Sequence, residues 1–147
     1  MSSVVNIPHE TTLLVRDCCL CLHVQRAARA LARRFDDAFR PLDLTNGQFS
    51  LLMSLNRPKA PPMATVASLL AMDRTTLTAA LKPLERRGLV KIAIDRADRR
   101  SRLLTLTAKG RRLLSRAVPI WVGTHREVEG LLAREPNQLR DDLRALA

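Results

Sequence analysis

Tyrosine is absent from the 147 residues, tryptophan occurs once (Trp121) and phenylalanine three times (Phe35, Phe39, Phe49). So few rings leave almost nothing for stacking single-stranded bases. Long hydrophobic runs are missing too: no stretch approaches the roughly 20 apolar residues of a membrane span. No basic segment followed by an apolar run opens the sequence, so a cytoplasmic chain with no membrane partner is expected. The three cysteines, Cys18, Cys19 and Cys21, are odd in number and bunched, which excludes a secreted disulfide framework and points to a reducing compartment. There is no glycine-rich phosphate loop, His9, His23 and His125 are scattered, and no serine or cysteine sits in a nucleophile motif. No enzymatic activity, cofactor or metal is expected.

What the chain does have is positive charge: 25 Lys+Arg against 14 Asp+Glu, a formal net charge of +11. An arginine-rich proteome would give the same excess, but so strong a bias points towards a polyanion. Arginine far outnumbers lysine, and its planar fork grips phosphates and guanine edges where lysine acts as a point charge. The length fits one domain, or one domain with an oligomerisation arm.

Periodicity supplies the architecture. Met1 to about Glu10 shows no period and reads as a loose arm. From about Thr11 to Arg40 apolar residues recur every three or four positions without proline or glycine, predicting one long helix that Pro41 stops. At 1.5 Å per residue it would span about 45 Å, longer than the chain's own core needs, and the surplus predicts packing against a second copy. Thr45 can cap a helix carrying Phe49, Leu51, Leu52 and Leu55. Asn56 to Pro62 reads as a loop. Thr65 to Met72 reads as a short helix, and Asp73 caps another in which Leu77, Leu81 and Leu84 form a buried stripe. Arg74, Thr75, Thr78, Lys82 and Arg86 fall mainly off that stripe, as a groove-reading helix requires. Pro83 predicts a kink or local tightening there.

Leu89 to Ile94 and Ser101 to Leu106 read as the strands of a hairpin whose tip, Asp95 to Arg100, has five charged residues in six. Thr107 can cap a helix to about Ala133, with Leu113, Leu114, Ala117, Ile120, Trp121, Val128, Leu131 and Leu132 apolar and Pro119 expected to bend it. A last helix carries Leu139, Leu143 and Leu146. The expected fold is mainly α with a small β-hairpin wing, a winged helix-turn-helix at 41–106 with dimerisation helices at 11–40 and 107–147, all one unit over 1–147. A basic hairpin beside a short helix points to duplex DNA.

Four motifs in this order resemble the multiple-antibiotic-resistance regulator (MarR) family. They are Leu44-Thr45 with Gln48-Phe49, Leu84-Glu85-Arg86-Arg87-Gly88-Leu89-Val90, Asp95-x-x-Asp98-Arg99-Arg100, and Leu106-Thr107-x-x-Gly110. The resemblance covers nearly the whole chain, most clearly about Leu20 to Leu132, and implies a homodimeric transcriptional regulator, here expected to be a repressor of a palindromic operator that answers a small-molecule or oxidant signal. It implies that Arg74, Thr75, Thr76, Thr78 and Lys82 face the major groove. The wing would lay Arg100 into the minor groove, Asp98 would hold that arginine in place, and Arg96 and Arg99 would meet phosphates. Three positions depart from the family pattern. Ile92 replaces a frequent basic residue, Ala71 replaces a glycine between the paired helices, and Pro83 replaces a polar helix former.

Other constellations have plainer readings beside sharper ones. The cysteines read first as small hydrophobes in a dimerising helix, with redox sensing and metal binding as alternatives. Cys21 lies where the organic-hydroperoxide-sensing branch of the resembled family keeps its reactive cysteine, although that branch's tyrosines are missing. Arg26, Arg29 and Arg33 share a helix face, with Arg33 and Asp37 spaced for an ion pair. They read as a solvated face, or, for Arg26 and Arg29, as part of an anionic-effector pocket. Trp121 and His125 read as core, or as walls of such a pocket. From another functional class, the same basic fold could serve as an interaction module for an acidic protein or RNA.

Overall fold

A left-handed turn, a capping box and a leucine stripe fix most of the architecture, which the computed structural model describes for residues 5–147. The first four residues of the expected loose arm lie outside that range. The elements are α1 (His9–Cys18), α2 (Leu20–Phe39), a single 3-10 turn (Arg40–Leu42), α3 (Asn46–Ser54), α4 (Met63–Leu69), α5 (Arg74–Arg86), β1 (Val90–Ile94), β2 (Arg102–Leu106), α6 (Ala108–Glu129) and α7 (Pro136–Leu146). Among the described residues no helix is long and apolar enough to cross a membrane. The residues up to Arg34 form one compact unit and Phe35–Ala147 another.

In the first unit the expected continuous helix is two. Cys19 takes an extended backbone (φ −72°, ψ 107°) between α1 and α2. Its thiol accepts the Leu22 N–H at 3.5 Å, standing where a serine or aspartate would cap a helix. The Cys19 carbonyl accepts from the His23 backbone N–H at 3.1 Å and from its ring Nδ1 at 2.8 Å. Apolar spacing does not register such a break, because a one-residue interruption without proline or glycine barely alters the period.

In the second unit Thr45 caps α3 through a reciprocal capping box. The Gln48 N–H donates to the Thr45 hydroxyl (3.2 Å) and the Thr45 N–H to the Gln48 side chain (3.0 Å). The Asp36 carboxylate accepts from both the backbone and the side chain of Asn46, and these bonds, the backbone one first, hold it below the ordinary carboxylate range. α4 starts earlier than its pattern predicts, directly after Pro62, and ends earlier because Ala71 turns left-handed (φ 51°) and the Met72 N–H closes on the Ala67 carbonyl at 2.9 Å. α5 and α6 run on through Pro83 and Pro119. α6 ends at Glu129 rather than near Ala133, which leaves Leu131 69% exposed instead of in the core.

The core joins these elements. Leu77, Leu81 and Leu84 of α5 are fully buried with Leu51 and Leu52 of α3, Val66 of α4, Leu104 and Leu106 of β2 and Ala117 of α6. Each buried leucine or valine side chain contributes on the order of 1.5–3 kcal/mol. The strands pair antiparallel from Val90 opposite Leu106 at the base to Ile94 opposite Arg102 near the tip. The segment expected to be pure loop adds to this sheet: Pro62 bridges Leu103, and the Leu104 N–H donates to the Pro61 carbonyl at 3.0 Å. Two prolines read as turn, yet a proline at a sheet edge still offers its carbonyl.

Candidate nucleic-acid interface

The helix α5 is positioned from its first residue. The Asp73 carboxylate accepts the Thr76 N–H (2.7 Å) and the Thr76 hydroxyl (3.0 Å), and these bonds, the backbone one first, hold it below the ordinary carboxylate range. With Leu77, Leu81 and Leu84 turned into the core, Arg74, Thr75, Thr76, Thr78, Lys82 and Arg86 are all exposed. The threonines are not equivalent. Thr76 spends its hydroxyl proton on Asp73, and Thr78 donates to the Arg74 carbonyl at 2.8 Å. Thr75 alone of the three has no side-chain partner among the described residues.

The hairpin tip is built on backbone bonds. Asp95 accepts the Ala97 N–H (2.9 Å), Asp98 accepts the Arg100 N–H (3.0 Å), and the Asp98 carbonyl accepts from Ser101 (2.9 Å). Asp98 was expected to hold the wing arginine, and its contact is to that residue's backbone rather than to its guanidinium. Both carboxylates are thus committed to shaping the turn, and Arg96, Arg99 and Arg100 are exposed with no ion pair among the described residues. Sequence reasoning missed Arg102. Its guanidinium donates to the carbonyls of Arg99 (3.1 Å) and Ser101 (3.3 Å), bracing the returning limb of the tip. Its one sequence signal is an arginine at the first position of a strand just after a charged turn.

The base of the wing is locked just as closely. Gly88 is left-handed (φ 71°) and closes α5, with its own N–H on the Glu85 carbonyl and the Leu89 N–H on that of Leu84, both at 2.9 Å. Thr107 donates its hydroxyl to the Gly88 carbonyl (2.7 Å) and accepts the Gly110 N–H (3.0 Å). A Cβ on Gly110 would lie 2.3 Å from the Leu89 carbonyl oxygen, so only glycine lets α6 approach this turn. A groove of about 450 Å³ then brings Arg74 at the start of α5 together with Arg100 and Asp98 of the tip, over Met63, Ala67 and Arg102. Lys82 and Arg86 lie further along α5.

The remaining candidates lie elsewhere. Cys18 and Cys21 are exposed and Cys19 half-buried, and Cys21 accepts from the Gln25 amide at 3.2 Å. Arg26 and Arg29 line an open stretch of α2 with His23 and Arg33. Asp37 pairs with Arg40 at 2.5 Å instead of the expected Arg33, three residues being as good a helical spacing as four. Trp121 stacks on His125 (4.6 Å between ring centroids) and faces Phe49 (6.4 Å), which in turn stacks on Phe39 (4.8 Å). Among the described residues no three His, Cys, Asp or Glu side chains converge as a metal site would require.

The chain as a whole has clear relatives. The MarR family model matches residues 44–101. The transcriptional regulator HosA of Escherichia coli O157:H7 is 33% identical over 98 residues, which covers 66% of this chain and 72% of that protein. Among solved structures, the transcriptional regulator MosR of M. tuberculosis in complex with DNA superposes with a TM-score of 0.80 at 39% identity, over 87% of this chain and 92% of that one. The transcriptional repressor CouR bound to a 23-mer DNA duplex superposes with a TM-score of 0.74 at 31% identity, over 90% and 92%.

Proposed function

The chain belongs to the MarR family of DNA-binding transcriptional regulators, and from that premise we propose that it is a homodimeric repressor of an inverted-repeat operator. The observation that carries this reading is the groove in which Arg74 and Arg100 meet, basic on both sides and bordered by a carboxylate already bonded to backbone. On this reading α5 enters the major groove with Arg74, Thr75, Thr76, Thr78 and Lys82, Arg100 enters the adjoining minor groove, and Arg86, Arg96 and Arg99 contact phosphates. Thr75 is the best placed of the threonines to donate to a base edge, because its hydroxyl proton is uncommitted.

A second copy would cover the apolar residues that this chain leaves open on its terminal helices: Leu14 and Leu20 at 61% and 68% exposure, Leu143 and Leu146 at 42% and 63%. Two half-sites would then lie about one helical turn of DNA apart. CouR, a repressor of the same fold, supports the sign of regulation. The signal fits a small apolar molecule in the groove of about 450 Å³ lined by Phe49, Met53, Leu69, Leu70, Val118 and Trp121. The neutral amide on Cys21 gives peroxide sensing no comparable support. Three free cysteines fit action in the cytoplasm.

The test is fluorescence anisotropy with a labelled duplex carrying the inverted repeat upstream of the coding region. Affinity is expected to fall steeply between 50 and 200 mM salt. Replacing Arg100 with alanine is expected to weaken binding about tenfold or more. A nearly salt-independent affinity, or an Arg100→Ala chain that binds like the parent, refutes the proposal.

A further inference from the structure

A second basic surface lies at the opposite end of the wing. Arg87, Lys109, Arg112 and Arg116 line a groove of about 500 Å³ with Leu42, Leu89 and Leu113 and no acidic side chain, although Arg87 also borders a neighbouring groove that holds Asp36 and Asp43. Two of the cations are fixed in place. Arg87 donates from its guanidinium to the Asp43 carbonyl (2.7 Å), and the Lys109 ammonium donates to the Arg87 carbonyl (2.7 Å). Neutral carbonyls use one donor on each group and cancel none of the charge, so most of the N–H groups of both remain free.

The helix adds to the imbalance. Lys109 and Arg111 lie in the first turn of α6 and Arg112 follows directly, where the macrodipole is already positive and carboxylates are the favoured residues. The first acid of the helix is Glu127, about five turns further on. Cations at an exposed helix start are mildly unfavourable, and an anion placed there is favoured. The floor is apolar: Leu89 is buried, and Leu42 and Leu113 are half-buried.

We propose that this groove binds a small organic anion, a carboxylate or phosphate ester carrying an apolar body. The charged group would sit among Arg87, Lys109, Arg112 and Arg116, and the apolar part on Leu42 and Leu113. DNA is a poorer occupant. The groove lies at the C-terminal end of α5, about 20 Å along the helix from Arg74, and at the base of a hairpin whose tip is about 15 Å away. The inference stands apart from the operator reading, because binding is measured on the DNA-free chain.

The experiment is isothermal titration of the full-length protein at 150 mM NaCl with phenyl phosphate, benzoate and inorganic phosphate. Phenyl phosphate or benzoate is expected to saturate one site per chain, and the preferred one identifies the headgroup. Inorganic phosphate is expected to bind about tenfold or more weakly for want of the apolar contact. R112A/R116A removes two exposed side chains that make no side-chain hydrogen bond or ion pair among the described residues. It is expected to lose about tenfold or more in affinity for the organic anion and to keep operator affinity within about threefold. Four results overturn the proposal: no saturable binding of either organic probe, equal binding by R112A/R116A, inorganic phosphate binding as tightly as phenyl phosphate, or an operator defect in R112A/R116A as large as that of Arg100→Ala.

Discussion

Replacing Ala71 with glycine is expected to stabilise the protein. Ala71 closes α4 with φ 51°, held there by its own N–H on the Ser68 carbonyl (3.2 Å) and the Met72 N–H on that of Ala67 (2.9 Å). A residue with a Cβ in this region costs about 1–2 kcal/mol. Glycine removes that cost but returns about 0.4–1 kcal/mol of freedom to the unfolded chain. Ala71 is exposed, so little packing is lost with its methyl group. The net gain is about 0–1.6 kcal/mol, centred near 0.8, which at a urea m-value of about 2 kcal/mol/M raises the midpoint by about 0.4 M. Circular dichroism during urea unfolding, at a fixed chain concentration because a dimer's stability depends on it, reads the shift. Gly88→Ala is the counterpart. It too is left-handed (φ 71°), and the nearest atom to an added Cβ is Lys109 Cδ at 3.9 Å, so the same conformational cost is expected with the opposite sign and little steric addition. An unchanged or lowered midpoint for Ala71→Gly, beside a lowered one for Gly88→Ala, refutes the account of the α4–α5 turn.

Further outcomes follow from the same contacts. Gly110→Ala would set a Cβ 2.3 Å from the Leu89 carbonyl oxygen and 2.7 Å from Leu106 Cδ1, and is expected to cost about 2–3 kcal/mol in thermal unfolding as α6 is pushed off the wing base. Asp73 is held below the ordinary carboxylate range by the Thr76 N–H, so its cap stabilises the fold above the unfolded-state pKa and fades as pH falls through the folded one. Asp73→Ala is therefore expected to unfold at lower urea than the parent at pH 7, with the gap narrowing as both are titrated below about pH 4. A gap that is constant with pH would mean that Asp73 acts through something other than its charge.

The sequence by itself determined whatever is local and periodic. The Thr45–Gln48 box, the Asp73 cap, the Leu77, Leu81 and Leu84 stripe and the alternation of the two strands each specify a partner within a few residues, and pattern alone reveals them. That was enough for the winged helix and for the exposed placement of Arg74, Lys82 and Arg100. Tertiary structure decided what depends on distant groups meeting. Cys19 breaks the first helix through a sulfur acceptor that has no signature in the period. Pro61 joins the sheet because its carbonyl finds Leu104, 43 residues away by number. Thr107 and Gly110 look like a helix start until Gly88 and Leu89 arrive to explain the hydroxyl and the missing Cβ. The basic groove is the extreme case. Leu42, Arg87 and Lys109 belong to three separate stretches of chain, and only the packing of the helices makes their charges and leucines one surface.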